Sequence, residues 1–304
     1  MTSFDQLKLE LHRVCPGLLI KEQEPMRDHT SFRIGGPVAL MALPQTTEET
    51  IACIKAARSL GIYPFLLGRG SNLLCGDGLL EHFVVKTNPG LRQLELVGET
   101  AIRCGAGVPM RQVACFAQQN SLTGFEFAHG IPGSMGGGVV MNAGAYGGEL
   151  ANVVVQTTAL NEEGEIITLR GEAQRFGYRH SVFMEEHLLV LEARVQLMKG
   201  DPTAIQERMD DLLRRRKHTQ PLEYASGGST FKRPQGAYAA ALIDQCGLKG
   251  YQVGAAQVSE KHAGFVVNKG GATCRDVLTL VDHVKEVVFQ QTGFRLELEI
   301  ITML

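Results

Sequence analysis

Apolar residues recur at helical spacing in several stretches of the chain. Residues 46–60 have apolar side chains three or four positions apart, and the Gly61 that follows predicts that the helix ends there. The same spacing predicts helices over residues 109–120, from 202 to about 217, over about 240–246 and over about 273–291.

Runs of β-branched, aromatic and other apolar residues predict strands between these helices. They cover residues 63–67, 83–86, 91–97, 101–104, 153–160, 165–169, 264–268 and 294–300. The last run alternates apolar with charged residues, so we expect Arg295, Glu297 and Glu299 on one polar face. This mixture of helices and hairpin-like strands predicts a chain with both α and β structure, without an internal repeat.

Glycine-rich turns carry the first sign of chemistry. The chain has 35 glycines and no tryptophan, and glycines cluster at 68–72, 130–138 and 144–148. Backbone N–H groups in such turns form a concave anion site, because the main chain can approach a phosphate closely where Cβ is absent. Leu73 occupies the place of the third glycine of a Rossmann fingerprint, and no Gly-Lys-Ser/Thr occurs. One such turn is more often an ordinary tight turn, but three together favour a dinucleotide or another phosphate ligand.

Composition excludes several classes of protein. The 304 residues are 44% hydrophobic and carry a formal net charge of -2, so there is no overall positive field for nucleic acid or anionic lipid. Charges interrupt every apolar stretch before membrane-spanning length, and the N-terminal residues lack the pattern of a secretory signal, so we expect a cytoplasmic protein. The seven cysteines form no CxxC pair and predict buried thiols, and the histidine spacing predicts no metal site.

For several polar residues, the sequence alone allows both a structural and a functional interpretation. Ser229 is either a capping serine or a proton donor assisted by Lys232 and Arg233. The basic run 214–217 is best explained as a solvated helix end, with a contact to a sugar-nucleotide phosphate as an alternative to nucleic acid. His262 is a surface histidine or a ligand contact. Glu297 and Glu299 are equally eligible for a catalytic role, and solvent exposure is the default for both.

Six segments in combination resemble the UDP-N-acetylenolpyruvoylglucosamine reductase family. The resemblance covers nearly the whole chain, from the sequence HTSFRIGG at 29–36 to the last predicted strand. The segments are Gly68–Leu74, Gly130–Ser134, Asn142–Tyr146, Tyr178–Phe183, Gly228–Pro234 and Lys261–Phe265. Chance agreement at all six is implausible.

This resemblance implies an α+β fold. It implies a FAD-binding domain of the vanillyl-alcohol-oxidase (PCMH) type in two α/β lobes, followed by a C-terminal α+β substrate-binding domain. We therefore predict lobe 1 at 1–88, completed by 294–304, lobe 2 at 89–200, and the substrate-binding domain at 201–293. Near Lys199 and Gly200 the predicted strands give way to a helix that ends in a basic run, and this change independently favours a domain boundary there.

The resemblance also implies a reaction. NADPH is the co-substrate that reduces a non-covalent FAD, and the flavin N5 then passes hydride to C3 of UDP-N-acetylglucosamine enolpyruvate. The product, UDP-N-acetylmuramate, is a precursor of bacterial peptidoglycan. Covalent attachment of the flavin is not expected, because the turn 68–72 contains no histidine or cysteine.

Residue roles follow from matching the motifs. The resemblance gives Ser229 the protonation of C2, and gives Arg179 and Glu299 the stabilisation of the substrate enolate; Glu299 is chosen over Glu297 because the family's glutamate is the second of the motif. It places Lys232, Arg233 and His262 near the nucleotide or sugar of the substrate. The expected FAD contacts are Gly68, Arg69, Gly70, Ser71, Asn72, Gly130, Ile131, Pro132, Gly133, Ser134, Asn142, Ala143, Gly144, Ala145 and Tyr146.

Departures and alternatives remain. Residues 181–201 leave no room for the tyrosine-bearing loop of the longer family form, so the chain resembles the shorter form and its way of clamping substrate is open. Ala225 and Gly227 stand where the family often has proline and alanine, with small expected effects. Another oxidoreductase on the same FAD scaffold and a non-catalytic nucleotide-binding protein are the competing hypotheses. Oligomeric state is undetermined, and a monomer is compatible with the sequence.

Overall fold

The computed structural model describes residues 2–304. Its helices are α1 Ser3–Val14, α2 Thr47–Ser59, α3 Thr87–Gly90, α4 Met110–Gln119, α5 Met135–Val140, α6 Val182–Glu185, α7 Pro202–Thr219, α8 Ala239–Gln245 and α9 Cys274–Thr292. Its strands are β1 Leu19–Pro25, β2 Pro37–Leu43, β3 Phe65–Leu67, β4 Leu73–Cys75, β5 Leu80–Lys86, β6 Leu94–Val97, β7 Ala101–Gly105, β8 Leu122–Thr123, β9 Gly144–Ala145, β10 Gly148–Glu149, β11 Val154–Leu160, β12 Ile166–Arg170, β13 Leu189–Gln196, β14 Met198–Lys199, β15 Ala225–Ser226, β16 Gln252–Val253, β17 Ala256–Val258, β18 Val266–Asn268 and β19 Ile301–Met303.

The described chain groups into two compact units. Unit 1 comprises the described residues up to 22 together with 40–69 and 82–215, and unit 2 comprises 23–39, 70–81 and 216–304. The predicted three-domain division at 88, 200 and 293 stays a prediction.

Unit 1 is built on two sheets. An antiparallel sheet has the order β12-β11-β13-β7-β6, and α4 and α5 bury apolar side chains in the same core as its strands. A second sheet has the order β1-β2-β5-β3, and α1 and α2 share a core with it through Leu7, Leu11, Ile20 and Phe83. Helices therefore cover these sheets where the strands present their buried residues.

Unit 2 combines a four-stranded sheet with a long helix. The sheet order is β15-β18-β17-β16, and α9 buries Val277, Leu280, Val281 and Val284 in the core of this unit. Thr273 caps the first turn of α9 in a reciprocal capping box with Asp276, and Gly293 ends the helix at a φ of 76°. The predicted stripe of α9 is thus the face that holds unit 2 together.

The predicted final strand over 294–300 is wrong as a regular strand. The strand is β19, which pairs in parallel with β4, whereas 294–300 is irregular apart from a bridge between Leu298 and Phe231. Leu296 and Ile300 are nevertheless buried while Arg295 and Glu297 are exposed. In an extended segment, side chains point alternately to opposite sides even when no neighbouring strand is hydrogen-bonded to it. The alternating pattern therefore predicted correctly which side chains are buried, but it did not predict that the backbone is unpaired.

Two further findings bear on the sequence predictions. Among residues 2–304 every cysteine is a free thiol, and five of the seven are buried. Burial raises the pKa of Cys53 and of Cys75 to about 12. In the same range, no helix has the length and apolar character needed to cross a membrane.

Candidate active site

The turn 68–72 begins in unit 1 with a close approach of main chain to side chain. A Cβ added at Gly68 would overlap the Oγ of Ser134, a residue that is only 2% exposed. Any larger residue at 68 would displace Ser134 or the turn. The glycine predicted to cradle a phosphate is therefore also required by packing.

The rest of this turn lies in unit 2 and is equally constrained. Gly70 has a φ of 60°, and a Cβ there would overlap the carbonyl oxygen of His29. The N–H of Ser31 donates to the Gly70 carbonyl at 3.1 Å. Because the glycines of this turn lack Cβ atoms, phosphate oxygens can come close to its main chain. These residues therefore fit the pyrophosphate of FAD.

The densest glycine cluster serves packing as much as ligand contact. A Cβ at Gly136 would lie 2.6 Å from the Cβ of Ala106, and one at Gly138 would lie 2.8 Å from the sulfur of Met110. Gly137 is exposed, and a Cβ there would meet only the Oγ of Ser134 at 3.7 Å. Two of the three glycines of α5 are thus explained by the helix lying close to its neighbours.

Tyr146 lies at the tip of a tight hairpin. Strands β9 and β10 pair Ala145 with Gly148, which leaves Tyr146 and Gly147 as the two turn residues, with φ of 54° and 84°. Positive φ at both central residues is the pattern of a type I′ turn, in which glycine and asparagine are usual and tyrosine is strained. Tyr146 is 39% exposed, so this strained turn leaves the tyrosine accessible to solvent.

Arg179 occupies a similar position in a second turn of unit 1. Gly177 and His180 exchange two backbone hydrogen bonds, of 3.0 and 3.2 Å, around Tyr178 and Arg179. Arg179 has a φ of 54°, and its guanidinium carbon lies 5.2 Å from the ring centroid of Tyr178. A non-glycine residue with this φ is strained, and such residues cluster at functional sites. The turn therefore exposes the arginine at a cost in backbone strain.

Asn142 connects these two turns. Its Oδ1 accepts the N–H of Ala151, just beyond the hairpin, at 2.9 Å, and its Nδ2 donates to the carbonyl of Gly177 at 2.9 Å. The side chain is completely buried. Sequence reasoning included Asn142 among the flavin contacts and gave no sign that its amide bonds to the Arg179 turn.

In unit 2, Thr230 holds the segments that carry Ser229 and Glu299. The carbonyl of Thr230 accepts the N–H of Glu299 at 2.9 Å, and its own N–H donates to Gly264 at 2.8 Å. Its buried hydroxyl accepts the N–H of Val266 at 3.0 Å. Thr230 thus joins three segments in which site residues were predicted, although only its neighbour Ser229 stood out in the sequence.

Asn72 holds the other side of the Glu299 backbone. Its Nδ2 donates to the carbonyl of Glu299 at 3.1 Å, and its own carbonyl accepts the N–H of Ile301 at 2.9 Å. A Cβ added at Gly228, beside Ser229, would lie 3.9 Å from the carbonyl oxygen of Ser71. The end of the predicted phosphate turn is therefore attached to the segment of the predicted catalytic glutamate.

Lys232 and Arg233 differ in their partners. The Nζ of Lys232 lies 3.5 Å from the Oε2 of Glu297, which is 76% exposed. The guanidinium carbon of Arg233 lies 4.5 Å from the ring centroid of Tyr238. Both cations are at a surface where an anionic ligand can exchange with these weak contacts.

His262 is organised as a neutral donor. Its Nδ1 accepts the N–H of Gly264 at 3.2 Å, and its ring meets Phe265 edge to face with centroids 5.0 Å apart. Burial, assisted by the charge of Lys249, lowers the pKa of His262 below its ordinary value, against an opposing backbone hydrogen bond. With Nδ1 accepting, the proton is on Nε2, which suits donation to a sugar or phosphate oxygen.

Sequence reasoning missed a basic cavity of unit 2. It has a volume of about 430 Å³ and is lined by Arg27, Asp28, Thr30 and Arg33. Arg33 has a φ of 55°, another strained non-glycine residue. The available signal was the HTSFRIGG segment, which carried the resemblance but received no roles. Among residues 2–304, no group of three or more metal-ligating His, Cys, Asp or Glu side chains is present.

Comparisons with known proteins define first the class and then the family. Residues 38–170 match the FAD binding domain family, so the chain is a flavoprotein of the PCMH-type, α+β fold. Residues 220–303 match the family described as UDP-N-acetylenolpyruvoylglucosamine reductase, C-terminal domain. The chain belongs to the UDP-N-acetylenolpyruvoylglucosamine reductase family.

Individual relatives cover nearly the whole chain. The reductase of that name from Clostridium kluyveri is 44% identical over 300 residues, covering 99% of this chain and 98% of its own. The one from Caldanaerobacter subterraneus is 46% identical over 91% of each chain. The crystal structure of the reductase from Thermus caldophilus superposes with a TM-score of 0.80 at 32% identity, covering 94% of this chain and 99% of that one.

Proposed function

We propose that this protein reduces UDP-N-acetylglucosamine enolpyruvate to UDP-N-acetylmuramate, with NADPH as electron source and non-covalent FAD as cofactor. The observation that carries the proposal is the match of residues 220–303 to the C-terminal domain of this reductase family. The FAD-binding domain alone would suit other oxidoreductases, since one fold hosts many reactions. The matched residues 220–303 contain Ser229, Lys232, His262 and Glu299, to which the family resemblance gives roles at the substrate.

The turns 68–72, 130–134 and 142–146 would hold FAD, which when bound would supply the hydride chemistry between NADPH and C3 of the enolpyruvyl group. The protein's own part is to stabilise the charge that builds on the substrate carboxylate as C3 is reduced. Arg179 would donate to that carboxylate, and Glu299 is the second group that the family resemblance assigns to the enolate. A group that the fold holds ready before charge develops stabilises the transition state more than the ground state, and this is the role proposed for both residues.

Ser229 completes the reaction by moving one proton. Its O–H bond breaks as a C–H bond forms at C2, and the serine oxygen is left with a negative charge that is neutralised by a proton from solvent. Lys232 is three residues away, and a cation near the hydroxyl lowers the cost of this transient charge.

Lys232, Arg233 and His262 bind the nucleotide and sugar of the substrate in this proposal. Two cations suit a diphosphate, and the Nε2–H of His262 suits an oxygen acceptor. The ligand is a UDP-sugar rather than nucleic acid, in agreement with the net charge of -2. A cytoplasmic location belongs to the same proposal, because NADPH and nucleotide sugars are intracellular metabolites.

The test is a visible spectrum of the purified protein followed through both half-reactions. We expect a flavin band that bleaches under anaerobic NADPH and returns when UDP-N-acetylglucosamine enolpyruvate is added. Ser229→Ala should bleach at the normal rate and recover about 10²–10⁴-fold more slowly, the usual size of an acid–base contribution. Ser226→Ala, three residues earlier, is the matched control and should behave as wild type.

Two other outcomes point elsewhere. A band that bleaches but does not return would keep the flavoprotein and reject this substrate. A colourless protein that takes up no added FAD would favour the non-catalytic nucleotide-binding alternative. Normal recovery in Ser229→Ala would reject the serine as proton donor.

A further inference from the structure

We infer that Asn142 is a positioning residue for Arg179, acting on the arginine through the backbone of its turn. The inference rests on the proposed function, because it needs Arg179 to act on the substrate. It gives Asn142 a task that its place among the expected flavin contacts does not include.

The first step is the strain of the Arg179 turn. A two-residue turn between Gly177 and His180 that places arginine at a φ of 54° competes with relaxed conformations of the same loop. Such a conformation persists only where the surroundings over-determine it. Contacts that hold Gly177 and Ser181 therefore fix the backbone from which the guanidinium of Arg179 extends.

The second step is the set of anchors on this turn. On one side Gly177 accepts the Nδ2–H of Asn142 at 2.9 Å, and on the other the hydroxyl of Ser181 donates to the carbonyl of Val140 at 2.7 Å. Asn142 and Ser181 are both completely buried. Solvent cannot replace either bond, so their loss is not compensated.

The third step is the origin of the rigidity. Asn142 has a φ of 43°, which asparagine tolerates, and its Oδ1 accepts the N–H of Ala151 at 2.9 Å. The same amide therefore closes the base of the Tyr146 hairpin and donates to the Arg179 turn. Arg179 is held against a hairpin rather than against a mobile loop.

Asn142→Asp provides a pH-dependent test. An ionised carboxylate cannot donate to Gly177 and repels its carbonyl, whereas a protonated carboxyl can donate to Gly177 while its other oxygen accepts the Ala151 N–H. Burial raises the pKa of such a carboxyl, which brings its protonation within reach of a mildly acidic buffer. The titratable residues on the two segments that Asn142 bonds are Glu149, two residues before Ala151, and Arg179 and His180 after Gly177, and all three remain in the control below.

We expect the recovery of the flavin band in Asn142→Asp to be about 10²-fold slower than wild type at pH 8, the effect of a misplaced catalytic group. The ratio to wild type should then improve as the pH is lowered towards 5.5. Bleaching by NADPH should change much less. A deficit that is independent of pH, or equal in both half-reactions, would overturn the inference.

Gln174→Glu is the matched control. Gln174 is another buried amide of unit 1, and it bonds Thr157 and Val154 rather than the Arg179 turn. Replacing it introduces the same chemical change elsewhere, so we expect a lower melting temperature without selective slowing of recovery. Selective, pH-dependent slowing in this control as well would overturn the inference.

Asn142→Gly guards against misfolding, because glycine accepts the positive φ while removing the amide. It should slow recovery in the wild-type background and have no further effect in an Arg179→Gly background, since two residues that act as a unit are not additive. Equal slowing in both backgrounds would overturn the inference. Normal recovery in Arg179→Gly would reject the role of Arg179 itself, whereas slow recovery there with normal recovery in both Asn142 variants would reject the inference alone.

Discussion

The two compact units hold their predicted catalytic residues in different ways. In unit 1, Arg179 sits at the tip of a strained turn that side chains anchor from its flanks, above all the amide of Asn142. In unit 2, Glu299 lies in an extended segment whose own backbone is bonded on both sides, to Thr230 and to Asn72. The comparison teaches that the chain holds one predicted catalytic residue in a costly conformation and the other in an ordinary one.

The difference has an energetic consequence. A strained arginine makes the native fold less stable than it would be with glycine at the same place, whereas an extended glutamate carries no such penalty. Function and stability therefore oppose each other at Arg179 and not at Glu299. Substitutions at the two positions separate these effects.

The largest effect is expected for Arg179→Gly. Recovery of the flavin band should slow about 10²–10³-fold because the guanidinium is lost. At the same time the free energy of unfolding should rise by about 1 kcal/mol, because glycine adopts the φ of 54° without strain. Single-turnover absorbance and urea unfolding measure the two changes; a loss of stability would contradict the assignment of strain.

Glu299→Gln comes next and is judged against Glu297→Gln. We expect recovery to slow about 10²-fold in Glu299→Gln, with little change in stability, since the backbone bonds that hold this residue remain. Glu297 is 76% exposed beside Lys232, and its loss should alter the rate by less than about threefold. Equal slowing of recovery in the two variants would contradict the choice of Glu299 over Glu297 as the catalytic glutamate.

Thr230→Val tests the backbone anchoring of unit 2. The substitution keeps the shape and removes the acceptor of the Val266 N–H, so a buried donor is left unpaired. We expect a loss of about 1–3 kcal/mol in the free energy of unfolding. Thr230→Ser retains the hydroxyl and serves as the control in the same denaturant titration. An unchanged stability in Thr230→Val would show that Val266 finds another acceptor.

The smallest effect is a pH dependence shared by both units. Burial lowers the pKa of His129 in unit 1 and of His262 in unit 2 below the ordinary value of 6.5. The unfolded chain then binds more protons than the folded one below pH 6.5, so stability is complete above that pH and falls as the pH decreases. His129→Gln should flatten the decline of unfolding free energy between pH 6.5 and 5, and the exposed His218→Gln should leave it unchanged. A steeper decline in His129→Gln would contradict the direction of the shift.

Much of the helical structure was predictable because apolar spacing survives in a single sequence. The predicted helix over 46–60 corresponds to α2 with its cap at Thr46, and that over about 273–291 corresponds to α9. The strand over 294–300 was wrong because alternation reports which side chains are buried and not which backbone is paired. The short strands β4 and β19 were not predicted, because each depends on the other as its partner distant in sequence and local patterns do not contain that partner.

The sequence by itself determined the chemistry that is available: glycine turns without Cβ atoms, a serine beside two cations, an arginine and a pair of glutamates, in an order that identifies the family. Only the tertiary structure decided which backbone each side chain supports. Asn142 and Asn72 were grouped with the ligand contacts and Thr230 was passed over, and the structure shows that they bond to the segments of Arg179 and Glu299. A hydrogen bond between residues 35 or 227 positions apart leaves no trace in local composition, because its geometry exists only once the chain has folded.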